Sequence, residues 1–110
     1  MKTLNKFLNE LAPIGKLKKP DTIATDSTIK EIVDFGIAKY GKNSDLNYID
    51  TSEVTNMEYL FKDTDFNGDI RYWDVSNVVN MNYMFNGCER FNQDLSRWDV
   101  YNVKEMVGMF

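Results

Sequence analysis

Phe66-Asn-Gly-Asp-Ile-Arg-Tyr-Trp-Asp-Val-Ser-Asn-Val78-Val-Asn-Met-Asn-Tyr-Met-Phe85 is written a second time a few residues further on. The second version is Phe91-Asn-Gln-Asp-Leu-Ser-Arg-Trp-Asp-Val-Tyr-Asn-Val103-Lys-Glu-Met-Val-Gly-Met-Phe110. An earlier, worn copy runs Leu46-Asn-Tyr-Ile-Asp-Thr-Ser-Glu-Val54-Thr-Asn-Met-Glu-Tyr-Leu-Phe61. Phe61 to Phe85 is a step of 24 residues and Phe85 to Phe110 a step of 25. The residue missing from the shorter step lies in the link from Phe61 to Phe66, one shorter than that from Phe85 to Phe91, where a loop absorbs it and the register elsewhere survives. From Asp45 to Phe110 the chain therefore holds two and a half copies of one unit, a period that marks a repeat architecture.

The unit has two halves. Ile70, Trp73, Val75 and Val78 are spaced like Leu95, Trp98, Val100 and Val103, and like the Leu-x-x-Leu-x-Leu segment of a leucine-rich repeat, which predicts a short strand. In the following octet Met57, Leu60 and Phe61 stand at i, i+3 and i+4, as do Met81, Met84 and Phe85, which predicts a helical turn or two. Thr55 or Asn56 is positioned to cap it. The expected fold is thus an α/β solenoid: a short leucine-rich-repeat-like array, strand, turn and short helix per coil, with an N-terminal helical cap. One unit cannot bury its own apolar side, so copies must stack. The Met/Phe pairs, Trp73 and Trp98 are read as core rather than as a Met-rich binding surface. Asn56 with Asn80, and Asn67 with Asn92, are expected to form ladders that satisfy turn backbone from one copy to the next.

The pattern Phe-Asn-(Gly/Gln)-Asp-(Ile/Leu)-x-x-Trp-Asp-Val-x-Asn-Val-x-x-Met-x-x-Met-Phe closely resembles the bacterial-surface-protein repeats of the BspA-like leucine-rich-repeat family. The resemblance covers Leu46 to Phe110 and a dozen positions in order. It implies a leucine-rich-repeat-like solenoid, a role in adhesion or protein binding, and a cell-surface or secreted location.

Three segments are expected. Residues 1–20 hold an amphipathic helix (Leu4, Phe7, Leu8, Leu11) stopped by Pro13 and a basic linker up to Pro20. Residues 21–44 hold a capping helix: Thr28-Ile-Lys-Glu31 has the form of a capping box. Ile29, Ile32, Val33, Ile37 and Tyr40 make one face, and Gly41 is placed to end it. Residues 45–110 are the repeats.

Composition narrows the function classes. In 110 residues there are 13 Lys and Arg against 17 Asp and Glu, a formal charge of −4, which disfavours nucleic acid or an anionic membrane as the partner. Hydrophobic residues make up 43%, which suits a folded chain, yet no apolar run is long enough for a membrane span or a signal-peptide core. Histidine is absent and Cys88 is the single cysteine, so the usual general base and any internal disulfide are missing. No nucleophile–base pair, phosphate loop or zinc spacing is present, and neither enzymatic activity nor a cofactor is expected. Cys88 reads as a buried turn residue.

One stretch imitates a calcium loop: Asp63, Asp65 and Asn67 at positions one, three and five, Gly68 at six, Asp69 beside it and Asp74 at twelve. Asn67, Asp69 and Asp74 have counterparts in Asn92, Asp94 and Asp99 and so are repeat residues first. Binding is expected instead on the outward side of the strands: Tyr48, Asp50 and Ser52, then Tyr72, Asp74 and Ser76, then Arg97, Asp99 and Tyr101. Tyrosine and arginine are hot-spot types. Met106, Met109 and Phe110 form a second candidate interface, expected to be covered by a second copy of the chain, a partner or the Leu4–Leu11 helix. The expected function is a non-catalytic protein-binding module of adhesion or host-interaction type. The alternatives are a small phage-type inhibitor that blocks a target with an acidic face, and a calcium-binding module.

Overall fold

Ile70 and Trp73, the first apolar pair of the second copy, are the two ends of one tight turn: the Trp73 N–H donates to the Ile70 carbonyl at 3.1 Å in the computed structural model, which describes residues 22–110. Val75 and Val78 close the next turn at 3.0 Å. The same pairs close in the first copy (Leu46 with Ile49, Thr51 with Val54) and in the third (Leu95 with Trp98, Val100 with Val103). Each turn is pinned by an aspartate whose Oδ1 accepts the backbone N–H two residues on. Asp69 takes Arg71 and Asp74 takes Ser76, both at 3.0 Å, and Asp94 takes Ser96 and Asp99 takes Tyr101. This is how aspartate makes turns.

The α/β solenoid is therefore corrected. Among the described residues there is one α-helix and no sheet, only isolated parallel bridges such as Asp45 with Asp69 and Asn56 with Asn80. The three-residue apolar spacing taken for a strand is the closure of successive turns. The helix expected in each octet fails for a backbone reason. Tyr59 and Tyr83 have φ of 65° and 58°, in the left-handed region, and the octet is held by three-residue closures such as Leu60 N–H to Met57 carbonyl. A right-handed helix cannot run through such a residue.

The helix that does form, α1, spans Ile29–Tyr40. Ile29, Val33 and Gly36 are its buried residues, while Ile32 and Ile37 are only partly buried and Tyr40 is mostly exposed. Its expected capping box is not made. Thr28 occupies the N-cap without a side-chain cap bond, and its hydroxyl instead accepts the Thr25 N–H at 2.9 Å. Gly41, at φ 102°, ends the helix and donates to the Ile37 carbonyl. At Gly36 a methyl group would press on Leu46 and Tyr48, so the bare backbone lets α1 lie close on the first copy. Asp26, just ahead of α1, clamps the same copy, accepting Thr55 N–H and hydroxyl and Asn56 N–H. The expected helix at Leu4–Leu11 lies outside the described residues.

Neighbouring copies lie side by side in register. Met57, Tyr59, Phe61 and Asp63 donate their N–H groups to the carbonyls of Asn80, Asn82, Met84 and Asn86, and Met81, Tyr83 and Phe85 donate to Glu105, Val107 and Met109. The rings follow: Phe61 stacks on Phe85 at 5.4 Å and Phe85 on Phe110 at 5.3 Å. Each buried indole reaches one copy back, Trp73 to the Leu46 carbonyl and Trp98 to that of Ile70. An asparagine ladder exists, but Asn77 and Asn102 carry it, donating to the carbonyls of Ser52 and Ser76. Asn67 also crosses, accepting the Asn92 N–H, whereas Asn56 and Asn80 spend their side-chain oxygens on their own turns.

Candidate binding surface

The aspartate turns sort the nine candidate face residues into two kinds. Asp50, Asp74 and Asp99 are turn-makers. Asp50 and Asp74 accept both the N–H and the hydroxyl of Ser52 and Ser76, at 2.6 to 3.0 Å, so those serines are engaged too. Asp99 accepts the Tyr101 N–H. The Ser52 and Ser76 carbonyls then receive Asn77 and Asn102. The aspartates and serines close their own turns, the two serine carbonyls tie neighbouring copies together, and their polarity is not idle surface.

The remaining four differ. Tyr48 is half-buried beside Tyr40, edge-on at 6.0 Å, and burial, with help from Tyr40 and Asp45, pushes its phenol up to about 12. Tyr72 is 60% exposed, with its N–H held by Asn47 Oδ1. Arg97, one period on, lies over the Tyr72 ring at 4.9 Å, a cation–π contact. Arg71 approaches the same ring at 5.9 Å while its guanidinium pairs with Asp69 at 2.9 Å. Burial pushes Asp69 up, but its bonds from Arg71 and Asn47 outweigh that and hold it below the usual carboxylate range. Tyr101 is 89% exposed. The structure thus brings Tyr72 and Arg97 together, and adds Arg71, which the sequence reading did not select. The period alone could have paired Tyr72 with Arg97, since both stand two residues after the Ile/Leu of their copy.

A shallow open groove of about 530 Å³ lies between α1 and the link regions, lined by Ile37, Asp63, Thr64, Asp65, Gly87, Glu89 and Arg90. Of the calcium candidates only Asp63 and Asp65 line it. Asp63 pairs with Lys62 at 2.7 Å and Asp65 with Lys42 at 3.7 Å, Asn67 serves Asn92, Asp69 serves Arg71, and Asp74 serves Ser76. Among the described residues no three acidic, histidine or cysteine side chains are grouped as a metal ion requires. Gly68 has another explanation than a calcium turn. Its backbone runs against residues 42–44, and a Cβ there would collide with the Ser44 carbonyl oxygen. Cys88 is buried beside Thr64, its thiol directed at the Phe66 carbonyl.

Of the second candidate interface, Met106 is 44% and Phe110 73% exposed, while Met109 is partly buried. No helix among the described residues is long and apolar enough to cross a membrane. No curated protein and no solved structure matches the chain. A family model described as "Mycoplasma protein of unknown function, DUF285" matches residues 31–110, most of α1 and all three copies, and the chain belongs to that family.

Proposed function

We propose that the chain is a non-catalytic protein-binding module, of the adhesion or host-interaction kind, that engages a partner protein through Tyr72, Arg97 and Tyr101. The observation that carries this is the exposed Tyr72 ring with Arg97 set over it, together with the 89% exposed Tyr101 of the third copy. Large aromatic and guanidinium groups held by their neighbours lose little freedom on binding, which is why they dominate interface energetics. The aspartate turns fix the backbone that carries these side chains. The likeness of the repeats to BspA-like surface-protein units supports the same reading.

The test is capture by the immobilised chain from lysate of the source organism and from host surface proteins. It is run beside a Tyr72→Ala, Arg97→Ala, Tyr101→Ala variant whose melting temperature is unchanged. A partner retained by the native chain and lost by the variant supports the reading. Equal retention by both would move binding off this surface.

A further inference from the structure

The aromatic column that holds Tyr72 continues through the first copy onto α1. Tyr48 stands one copy before Tyr72, and the Tyr72 N–H is held at 2.9 Å by Asn47, the residue beside Tyr48. Tyr40, the last residue of α1, meets the Tyr48 ring edge-on at 6.0 Å. Lys39 then links Tyr40 to Phe35, its ammonium 5.6 Å from one ring centroid and 5.7 Å from the other. Phe35 is 60% and Tyr40 53% exposed. Large rings that the core does not use, continuous with an exposed tyrosine, are the mark of an interaction surface.

The chemistry on offer there is restricted. Among the described residues the Tyr40 and Tyr72 hydroxyls and the Lys39 ammonium make no hydrogen bond or ion pair, and all three can donate. The carboxylates that border them are occupied: Asp45 accepts from Asn47, Asp69 from Arg71 and Asp94 from Ser96. The strip thus presents apolar rings and donors. An acidic segment would meet those three carboxylates. A sugar, which stacks on an open ring face, would have to displace Lys39 from Tyr40 or Arg97 from Tyr72. A proline-rich segment meets neither obstacle. Its rings are apolar, its carbonyls are unbonded in the extended left-handed helix that it prefers, and each proline lacks an N–H.

We propose that Phe35, Lys39, Tyr40, Tyr48, Tyr72 and Arg97 form one docking strip whose occupant is a proline-rich segment of the partner protein, bound as a polyproline II helix. The prolines lie against the rings, and the hydroxyls and Lys39 donate to the carbonyls between them. Such a ligand is extended before it binds and loses little freedom on docking, as in other aromatic-lined proline sites. The proposal rests on the reading of Tyr72 and Arg97 as a binding surface, and adds to it the contribution of α1 and the class of ligand.

The probe is a synthetic oligoproline peptide, titrated into the isotopically labelled 110-residue protein beside a glycine–serine peptide of equal length, an oligoglutamate and a linear glucose oligomer. Saturable shifts at Phe35, Tyr40 and Tyr72 are expected with oligoproline alone. Phe35→Ser, Tyr40→Ser and Lys39→Gln, all at exposed positions of α1, should each weaken binding by about tenfold with the melting temperature intact. No saturable shift up to about 1 mM oligoproline would overturn the proposal, as would equal or tighter binding of any other probe. So would binding that none of the three α1 substitutions changes. Contacts from Leu4–Leu11 to Phe35 in the free protein, or shifts with protein concentration alone, would make the chain itself the occupant and overturn it too. If oligoproline fails while the Tyr72, Arg97 and Tyr101 substitutions still abolish capture of a partner, this proposal falls and the binding surface stands.

Discussion

The second and third copies carry nearly the same residues and stand in different surroundings. Met81, Met84 and Phe85 are at most 2% exposed, whereas Met106 is 44% and Phe110 73% exposed, and Met109 is partly buried. Val75 is buried, and Val100, its counterpart, is 39% exposed. Trp98 alone stays nearly as covered as Trp73, because its indole reaches back to Ile70. The unit does not bury itself: the following copy buries it. A residue's contribution to stability is thus set by its place in the row more than by its type. The first copy shows the same rule from the other end, since α1 stands in for a neighbour and Phe61 is fully covered.

The largest test of this contrast is the same truncation in two copies. Phe85 is stacked between Phe61 and Phe110 and touches Phe91 at 4.3 Å, so Phe85→Ala should cost about 3–5 kcal/mol, enough to unfold a marginal domain. Phe110→Ala removes a ring stacked on one side only and should cost under about 1 kcal/mol. Chemical denaturation of both variants checks it. Equal losses would mean that the third copy is as well packed as the second.

A position where the copies differ sharpens the comparison. Gly68 lies against the Ser44 carbonyl, but Gln93, its counterpart, sends its amide across to the Asn67 carbonyl at 3.0 Å. Gly68→Ala should therefore destabilise by about 1–3 kcal/mol through forced separation of two backbones. Gln93→Ala should cost about 1 kcal/mol, one cross-copy hydrogen bond. Melting curves of the pair decide it, and a harmless Gly68→Ala would show that the backbone there relaxes freely.

Much of this was legible in the sequence. The period, its single deleted residue and the buried positions Trp73, Met81, Met84 and Phe85 all follow from aligning the copies. The local conformation did not follow, for a definable reason. An apolar pair three residues apart fits a turn closure as well as a strand or helix face, and only the preceding aspartate distinguishes the turn. Nor does a tyrosine announce a positive φ: Gly108, aligned with Tyr59 and Tyr83 and sharing their left-handed conformation at φ 60°, was the available clue. In the candidate surface, alignment placed Tyr72 and Arg97 correctly in one column. It could not show that Asp50, Asp74 and Asp99 spend their oxygens on their own turns.

The covered edge of the first copy depends on a carboxylate, so it should weaken in acid. The Thr55 hydroxyl and the Thr55 and Asn56 N–H groups hold Asp26 below its ordinary value of 3.8. A depressed folded-state pKa adds stability above the unfolded value that is lost as pH falls through the folded one. The native chain should lose stability below about pH 4, and Asp26→Asn should be less stable at neutral pH with a shallower acid slope. An unchanged slope in Asp26→Asn would assign the acid sensitivity elsewhere, with Asp69 the next candidate.

The smallest effect is expected at Tyr101, and its smallness is the point. The two earlier copies have serine there, Ser52 and Ser76, each donating its hydroxyl to the aspartate that starts its turn. Tyr101 keeps only the backbone half of that arrangement, and its side chain is 89% exposed. Tyr101→Ser restores the repeat's own residue and its second hydrogen bond while removing a ring the fold does not use. Stability should change by no more than about 0.5 kcal/mol, and a change in either direction within that range is acceptable. Capture of the partner, by contrast, should fall. A substitution neutral for folding and costly for binding would mark Tyr101 as a binding residue, because the turn itself is better served by serine. If thermal denaturation instead showed a loss of several degrees, the ring would be packing on the third copy, and the comparison between copies would need a buried surface that the present structure does not contain.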